Sequence, residues 1–198
     1  MKKLRMIWTI LACLLFLPAF LAAEVAPPAE GGKLPDIRLT IPADAGYQTY
    51  LGIKGEGTFF LPQVKASVVI VEIFSMYCPH CQREAPSIND LYAKIQSSER
   101  LKAKAKLVGM KDKVKLVGIG VGNSPYEVEY FKKTYSIQFP LFSDGEFIVH
   151  KQLGEVRTPY FIGIKNHRDG SHTLFYSKLG GIADNLSFLK LIQAQLNK

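Results

Sequence analysis

The chain has 198 residues, of which 47% are hydrophobic and 21% are charged, values typical of a globular domain with a full core. Its formal net charge of +8 falls to +5 for residues 24–198, because Lys2, Lys3 and Arg5 lie ahead of them and 22 basic and 17 acidic side chains remain. No basic patch with interleaved aromatic residues occurs, so the sequence does not favour nucleic-acid binding.

The N-terminus has the pattern of a secretory signal. A basic start is followed by an apolar run over residues 6–23 that ends in two alanines, which predicts a signal peptide at residues 1–23. The run is also near the lower length limit for a membrane span, so a retained anchor is an alternative. Cys13 offers a lipid-attachment alternative, although its neighbours fit that signal poorly.

Residues 24–33 are rich in Pro, Ala, Gly and Glu, a composition that predicts a flexible linker. One domain is expected to follow at residues 34–198. Its first part contains several Pro and Gly residues and two short apolar stretches, which predict weak strands at 37–41 and 58–60.

A cysteine pair follows the most apolar strand of the chain. The run 68–74 is rich in β-branched residues and predicts a buried strand. After a three-residue turn, Cys78 stands where a helix begins, with Pro79 at the first helical position and helical periodicity to about residue 98. Cys81 comes three residues after Cys78, so a helix brings both sulfur atoms to one face, close enough to form a disulfide.

The position of Cys78 predicts a reactive thiol. A thiolate at a helix N-terminus faces unpaired backbone N–H groups and the positive end of the helix dipole, which lower the pKa of the thiol. A protonated His80 would act in the same direction. Cys81 lies further into the helix and is predicted to be the resolving thiol, which attacks a mixed disulfide formed by Cys78.

Two carboxyl groups are candidates for the base that the resolving thiol needs. Glu72 lies inside the apolar strand, six residues before Cys78, where burial raises the pKa of a carboxyl toward the range useful for proton transfer. Glu84 follows Cys81 by one helical turn and is the second candidate. The chain has three cysteines in all and no second Cys-x-x-Cys pair, so the sequence predicts no metal site.

The remaining elements alternate between strands and helices. A helix opened by Ser124 and Pro125 has the pattern of a capping box, and Asp184 is the predicted N-cap of the last helix. The predicted elements are a strand at 114–121, a helix at 124–135, a strand at 139–142, a helix at 144–153, an antiparallel strand pair at 160–164 and 173–177, and a helix at 184–195.

Strand, Cys-x-x-Cys and helix together resemble the thioredoxin-like thiol–disulfide oxidoreductases. The string from Glu72 to Cys81 is similar to the active site of the DsbA-type periplasmic disulfide oxidases, which carry the same Cys-Pro-His-Cys sequence. Glu84 and Pro86 instead complete the Cys-x-x-Cys-x-x-Glu-x-Pro pattern of the TlpA/ResA-like reductases. Thr158-Pro159 resembles the cis-proline that faces the dithiol in this fold.

The resemblance implies an α/β protein with a thioredoxin-like fold, in which a central mixed sheet is flanked by helices and carries an N-terminal β extension and an inserted helix. In such a fold Thr158 and Pro159 would bind an extended substrate segment, and Tyr77 would pack beside the dithiol. The Pro79-His80 dipeptide would tune the reduction potential of the pair.

The activity implied is that of an exported, periplasmic thiol–disulfide oxidoreductase. The order of strands and helices favours a TlpA/ResA-like reductase. A DsbA-like oxidase is one alternative; a peroxiredoxin-like peroxidase and a non-catalytic binding module are the others. The resemblance implies that no cofactor is needed. It also implies protein substrates that carry a dithiol or a disulfide, such as apocytochrome c or secreted proteins, and a redox partner in the membrane.

Overall fold

The computed structural model describes residues 25–97 and 113–197. The predicted signal peptide lies outside the described residues. Among the described helices, none is long and apolar enough to cross a bilayer. The strands are β1 Arg38–Thr40, β2 Thr58–Phe60, β3 Val68–Phe74, β4 Val114–Val121, β5 Leu141–Asp144, β6 Tyr160–Asn166 and β7 His172–Leu179; the helices are α1 Ala45–Leu51, α2 Pro79–Ser97, α3 Pro125–Thr134, α4 Ile148–Gln152 and α5 Asn185–Leu196.

Five strands form a central mixed sheet in the order β5-β4-β3-β6-β7. β4 runs parallel to both β3 and β5, whereas β6 runs antiparallel to β3 and β7. β1 and β2 pair with each other as a separate antiparallel hairpin. The predicted mixed α/β architecture, with its N-terminal β extension and inserted helix α4, is confirmed.

The two central strands β3 and β4 are buried along their whole length because both faces of the sheet are covered. Alternate residues of β3 enter two separate cores. Val69, Val71 and Ile73 pack with the β1–β2 hairpin, α1 and α4. Val68, Ile70 and Phe74 pack with α2, α3 and α5 on the opposite face. The dithiol helix α2 is therefore held against one face of the sheet by buried side chains.

Helix α1 was not predicted from the sequence. It buries a single residue, Leu51, so it has no apolar stripe for periodicity to detect. Its ends are nevertheless well defined, because Asp44 Oδ1 accepts the Tyr47 N–H at 2.8 Å and Gly52 ends the helix in the left-handed conformation.

The predicted strand at 139–142 and helix at 144–153 are displaced in the structure. Strand β5 ends at Asp144, and the shorter helix α4 begins at Ile148. The Asp144 carboxylate accepts the N–H groups of Val149 at 3.0 Å and His150 at 2.9 Å, so it caps the helix from the end of the preceding strand.

The segment before the hairpin, expected to be a flexible linker, is hydrogen bonded to the central sheet at residues 31 and 32. Gly31 N–H donates to Leu174 O at 2.7 Å, and Leu174 N–H donates to Gly32 O at 2.9 Å. Strand β7 is an edge strand of the central sheet, and its free backbone groups accept an added extended segment regardless of composition. Composition alone therefore missed these contacts.

Candidate active site

The two cysteines occupy different environments at the start of α2. Cys78 lies just before the helix and is partly exposed, while Cys81 is buried in its first turn, and both thiols are free. The Cys81 N–H points to Cys78 Sγ at 3.4 Å, and the Cys78 N–H donates to Ser75 O at 3.0 Å. The turn thus aims backbone N–H groups at one sulfur and covers the other.

The pKa values of the two thiols are shifted in opposite directions. Partial burial raises the pKa of Cys78, but hydrogen bonds from Thr158, from the Cys81 thiol and backbone, and from the His80 backbone outweigh it and leave this pKa lowered. The pKa of Cys81 is raised, first by burial and then by its hydrogen bond to Cys78. Cys78 is therefore the thiol that ionises first and can act as the nucleophile.

Thr158 and Pro159 lie opposite the dithiol, at the start of β6. The peptide bond between them is cis, the geometry that the resemblance implied. Thr158 O is 3.4 Å from Cys78 Sγ, and Pro159 O accepts the Gly180 N–H at 2.9 Å from the end of β7. The structure therefore brings both residues to the dithiol.

Glu72 lies in the middle of β3, between Gly118 on β4 and Phe161 on β6. Its side chain is 2% exposed, and among the described residues Oε1 has no hydrogen-bond partner. Burial, followed by the nearby charges of Glu84 and Cys78, raises the pKa of Glu72 from 4.5 to about 8. A carboxyl with this pKa can both accept and release a proton near neutral pH.

Glu84, the second predicted base, is half-buried at the edge of the site. Its Oε1 accepts the Ile182 N–H at 2.9 Å, and burial raises its pKa against the opposing effect of this hydrogen bond. The loop approaches closely because residue 181 is glycine: a Cβ there would lie 2.0 Å from Glu84 Oε2. Glu84 thus joins α2 to the loop after β7 and influences Glu72 through its charge.

His80 is exposed in the first turn of α2, and its cationic role stays a prediction. Arg83 Nη2 lies 2.9 Å from His80 Nδ1. Arg83 therefore places a fixed positive charge beside the first turn of α2. Arg83 was not predicted from the sequence, although its spacing from His80 places both on one helix face.

Tyr77 lies at the rim of the site. It is 65% exposed, and its hydroxyl donates to the carboxylate of Glu127 on α3. Its ring is therefore anchored toward α3 through this hydrogen bond, and its packing beside the dithiol stays a prediction.

Asn123 and Gln82 position the turn that carries Cys78, and neither was predicted from the sequence. Asn123 is fully buried, and its Oδ1 accepts the Met76 N–H at 2.8 Å. Gln82 Nε2 donates to Met76 O, also at 2.8 Å. The available signal was the position of Asn123 two residues after the end of β4, because the carboxyl ends of the parallel strands β3 and β4 meet at the same sheet edge.

The chain is similar to one protein family and to several solved structures. The chain matches the AhpC/TSA family over residues 31–168. No curated protein sequence matches it. Similar solved structures include a Chlorobium tepidum protein described as a thiol:disulfide interchange protein DsbE (TM-score 0.58, 18% identity, covering 85% of this chain and 99% of that one).

Two further structures share the fold. The thioredoxin domain of a thiol–disulfide oxidoreductase from Bacteroides vulgatus has a TM-score of 0.56 and 14% identity, covering 84% of this chain and 96% of that one. A secreted Mycobacterium tuberculosis disulfide oxidoreductase homologous to E. coli DsbE has a TM-score of 0.50 and 14% identity, covering 80% and 96%. At these identities the likeness shows the thioredoxin-like fold.

Proposed function

We propose that the chain, which belongs to the AhpC/TSA family, is an exported thiol–disulfide oxidoreductase. It exchanges disulfides with protein substrates through Cys78 and Cys81. One observation carries the proposal: the partly exposed Cys78 has a lowered pKa, and the buried Cys81 beside it has a raised pKa. A nucleophile and a protected resolving thiol are the two groups that disulfide exchange requires.

In the reducing direction, the Cys78 thiolate attacks one sulfur of a substrate disulfide. A mixed disulfide forms, and the other substrate sulfur leaves as a thiolate. Glu72 then takes the proton of Cys81, and the Cys81 thiolate attacks Cys78 Sγ. The second substrate thiolate leaves, so the substrate is reduced by two electrons while Cys78 and Cys81 are oxidised to a disulfide. Oxidation of a substrate dithiol follows the same steps in reverse.

Thr158 and Pro159 would hold the substrate during these steps. Thr158 O lies 3.4 Å from Cys78 Sγ, so an extended substrate segment that brings its sulfur to Cys78 must pass beside this backbone. Such a segment can pair with main-chain groups as an added strand does. Tyr77 would border the same face.

For the direction of electron flow, we propose a TlpA/ResA-like reductase. The fold likeness to DsbE-type proteins supports it, as does the Glu84-Pro86 pattern, whereas the Pro79-His80 dipeptide supports a DsbA-like oxidase. The reduction potential, measured by equilibration with glutathione and dithiothreitol buffers, separates them. A value near about −270 mV supports the reductase, and one near about −120 mV supports the oxidase.

The family match is also the observation that favours a peroxidase as the second candidate. The sequence around Cys78 lacks the Pro-x-x-x-Thr-x-x-Cys pattern of the peroxidatic site, so we expect no peroxide-dependent turnover of the reduced protein. A rapid oxidation of Cys78 by peroxide, with turnover, would replace the exchange function by this one. A static disulfide below about −300 mV would instead support a non-catalytic binding module.

Export and partners complete the proposal. The signal peptide at residues 1–23 would deliver the domain to the periplasm, where secreted proteins or apocytochrome c supply disulfides and a membrane partner supplies electrons. One structurally similar protein is described as secreted. Fractionation of cells that express the full chain tests the location: the proposal expects the protein outside the cytoplasm.

The exchange activity is tested with a peptide that carries one disulfide, mixed with the reduced protein. The wild-type protein should reduce the peptide with second-order kinetics, and Cys78→Ala should abolish the reaction while its circular dichroism spectrum stays native. A Cys78→Ala variant with full activity would overturn the proposal.

A further inference from the structure

A cleft of about 310 Å³ opens beside the cis peptide bond and is lined by three basic side chains. We call it the basic cleft: His80 and Arg83 enter it from α2, and Arg157 enters it from the segment before β6. Thr158 and Pro159 also line it, and Thr158 O is 3.4 Å from Cys78 Sγ. Any group bound in the basic cleft would therefore lie next to the reactive thiol.

The two guanidinium groups of the basic cleft have no carboxylate partners. Within the described ranges, neither Arg83 nor Arg157 has an acidic oxygen within the 4.0 Å of an ion pair. Arg83 is instead hydrogen bonded to His80 Nδ1. Both arginines are exposed, so their remaining N–H groups are available to a ligand.

One acidic side chain lines the cleft against two guanidinium groups, so the cleft keeps an excess of positive charge. Glu84 lines it, but its Oε1 accepts the Ile182 N–H at 2.9 Å and is turned to the loop after β7. Glu155 lies two residues before Arg157 and lines the adjoining cleft on the other side of Thr158. A planar pair of donors without a partner carboxylate is the arrangement that recognises an incoming carboxylate.

We infer that the basic cleft is a specificity subsite for acidic substrates, in which Arg83 and Arg157 bind the side chain of a Glu or Asp near the reacting cysteine of a protein substrate. The inference rests on the proposed function and adds a substrate preference to it. The size of the cleft suits one or two side chains. Leu179, 53% exposed at its edge, offers apolar surface to their methylene groups.

The position of Arg157 favours a polypeptide as the source of the carboxylate. Arg157 directly precedes Thr158 in the chain, and it lines both the basic cleft and the adjoining one. A substrate strand passing Thr158 therefore presents residues next to its cysteine to Arg157. The contact is at the rim and exposed, so it acts mainly on the association rate and weakens with salt.

The experiment compares three peptides that carry the same disulfide and differ at the residues flanking one cysteine, which are Glu, Gln or Lys. At low ionic strength the wild-type protein should reduce the Glu peptide about three- to fivefold faster than the Gln peptide, and the Lys peptide slowest. In 0.5 M NaCl the Glu/Gln ratio should fall toward 1. The ratio within one variant cancels any change in the reactivity of Cys78.

The variants locate the effect. Arg157→Gln and Arg83→Gln should each lower the Glu/Gln ratio, and the double variant should bring it to about 1. Arg168→Gln is the matched control, because it removes the same charge from an exposed position in the turn after β6, at the opposite end of that strand from Thr158; it should keep the wild-type ratio.

A wild-type ratio of 1, or a ratio that falls equally in Arg168→Gln, overturns the subsite while leaving the exchange function intact. The wild-type protein could instead prefer glutathione disulfide to 2-hydroxyethyl disulfide, lose this preference without the two arginines, and show no preference among the peptides. That result would overturn a polypeptide as the source of the bound carboxylate. If the wild-type protein reduces none of the peptides, the proposed function itself fails.

Discussion

Replacing Glu72 by Gln should remove a loss of stability that the wild-type protein suffers as the pH rises, and it should slow the exchange reaction. The carboxyl is 2% exposed and its pKa is raised from 4.5 to about 8, chiefly by burial. Between these two pH values the folded protein holds a proton that the unfolded chain has released. The free energy of unfolding therefore falls as the pH rises from about 4.5 to about 8, and this effect levels off above that range.

The size of the effect follows from the same values. Each pH unit inside the window changes the free energy of unfolding by about 1.4 kcal/mol. From pH 5 to pH 7 the wild-type protein should lose about 3 kcal/mol through Glu72. Gln cannot ionise, so the stability of Glu72→Gln relative to wild type should grow by about 3 kcal/mol over this range, whatever constant difference the amide introduces.

Urea denaturation of the reduced proteins at pH 5, 6 and 7 measures this difference directly, because a shift in midpoint at constant slope reports stability. In parallel, release of substrate from the mixed disulfide should slow by on the order of 10²-fold at pH 7 through loss of the base. If the stability curves of the two proteins run parallel between pH 5 and 7, Glu72 does not titrate as argued.

Three further predictions concern the surrounding geometry. Alkylation of Cys78 by iodoacetamide should rise with pH to a midpoint below the ordinary 9.0, and a midpoint at or above that value would contradict the lowered pKa. Asn123→Ala removes the acceptor of the Met76 N–H and should cost about 1–3 kcal/mol in urea denaturation; an unchanged midpoint would show that the turn does not depend on it. Gly181→Ala places a Cβ 2.0 Å from Glu84 Oε2 and should cost about 1 kcal/mol in urea denaturation through the lost Ile182 hydrogen bond. The control is Gly145→Ala, where φ is not positive and the nearest atom to an added Cβ is 3.5 Å away; an equal loss in both variants would contradict the role of the Glu84 contact.

The dithiol and its strand could be predicted because their signals are local. A run of β-branched residues, a three-residue turn and Pro79 at the start of a helix each describe neighbouring residues, and they fix where Cys78 and Cys81 lie. Glu72 inside that run could be identified as buried for the same reason. The cis-proline needed the family resemblance, since nothing local to Thr158 and Pro159 shows that β6 pairs with β3.

The parts that were missed depend on contacts between distant segments. Asn123 meets Met76 because β3 and β4 are adjacent and parallel, which a single sequence does not show. Pairing of residues 31–32 with β7 likewise requires knowing that β7 is an edge strand. The contact between Arg83 and His80 depends on the direction of one side chain, which a sequence does not show.

The most direct test of disulfide exchange is to trap its intermediate. Cys81→Ser, reduced and mixed with a disulfide-bonded substrate protein, should form a mixed disulfide that mass spectrometry of the digested adduct locates at Cys78. Its release should require added thiol, because the resolving sulfur is absent. Absence of the adduct, or an adduct at a residue other than Cys78, would contradict the proposed mechanism.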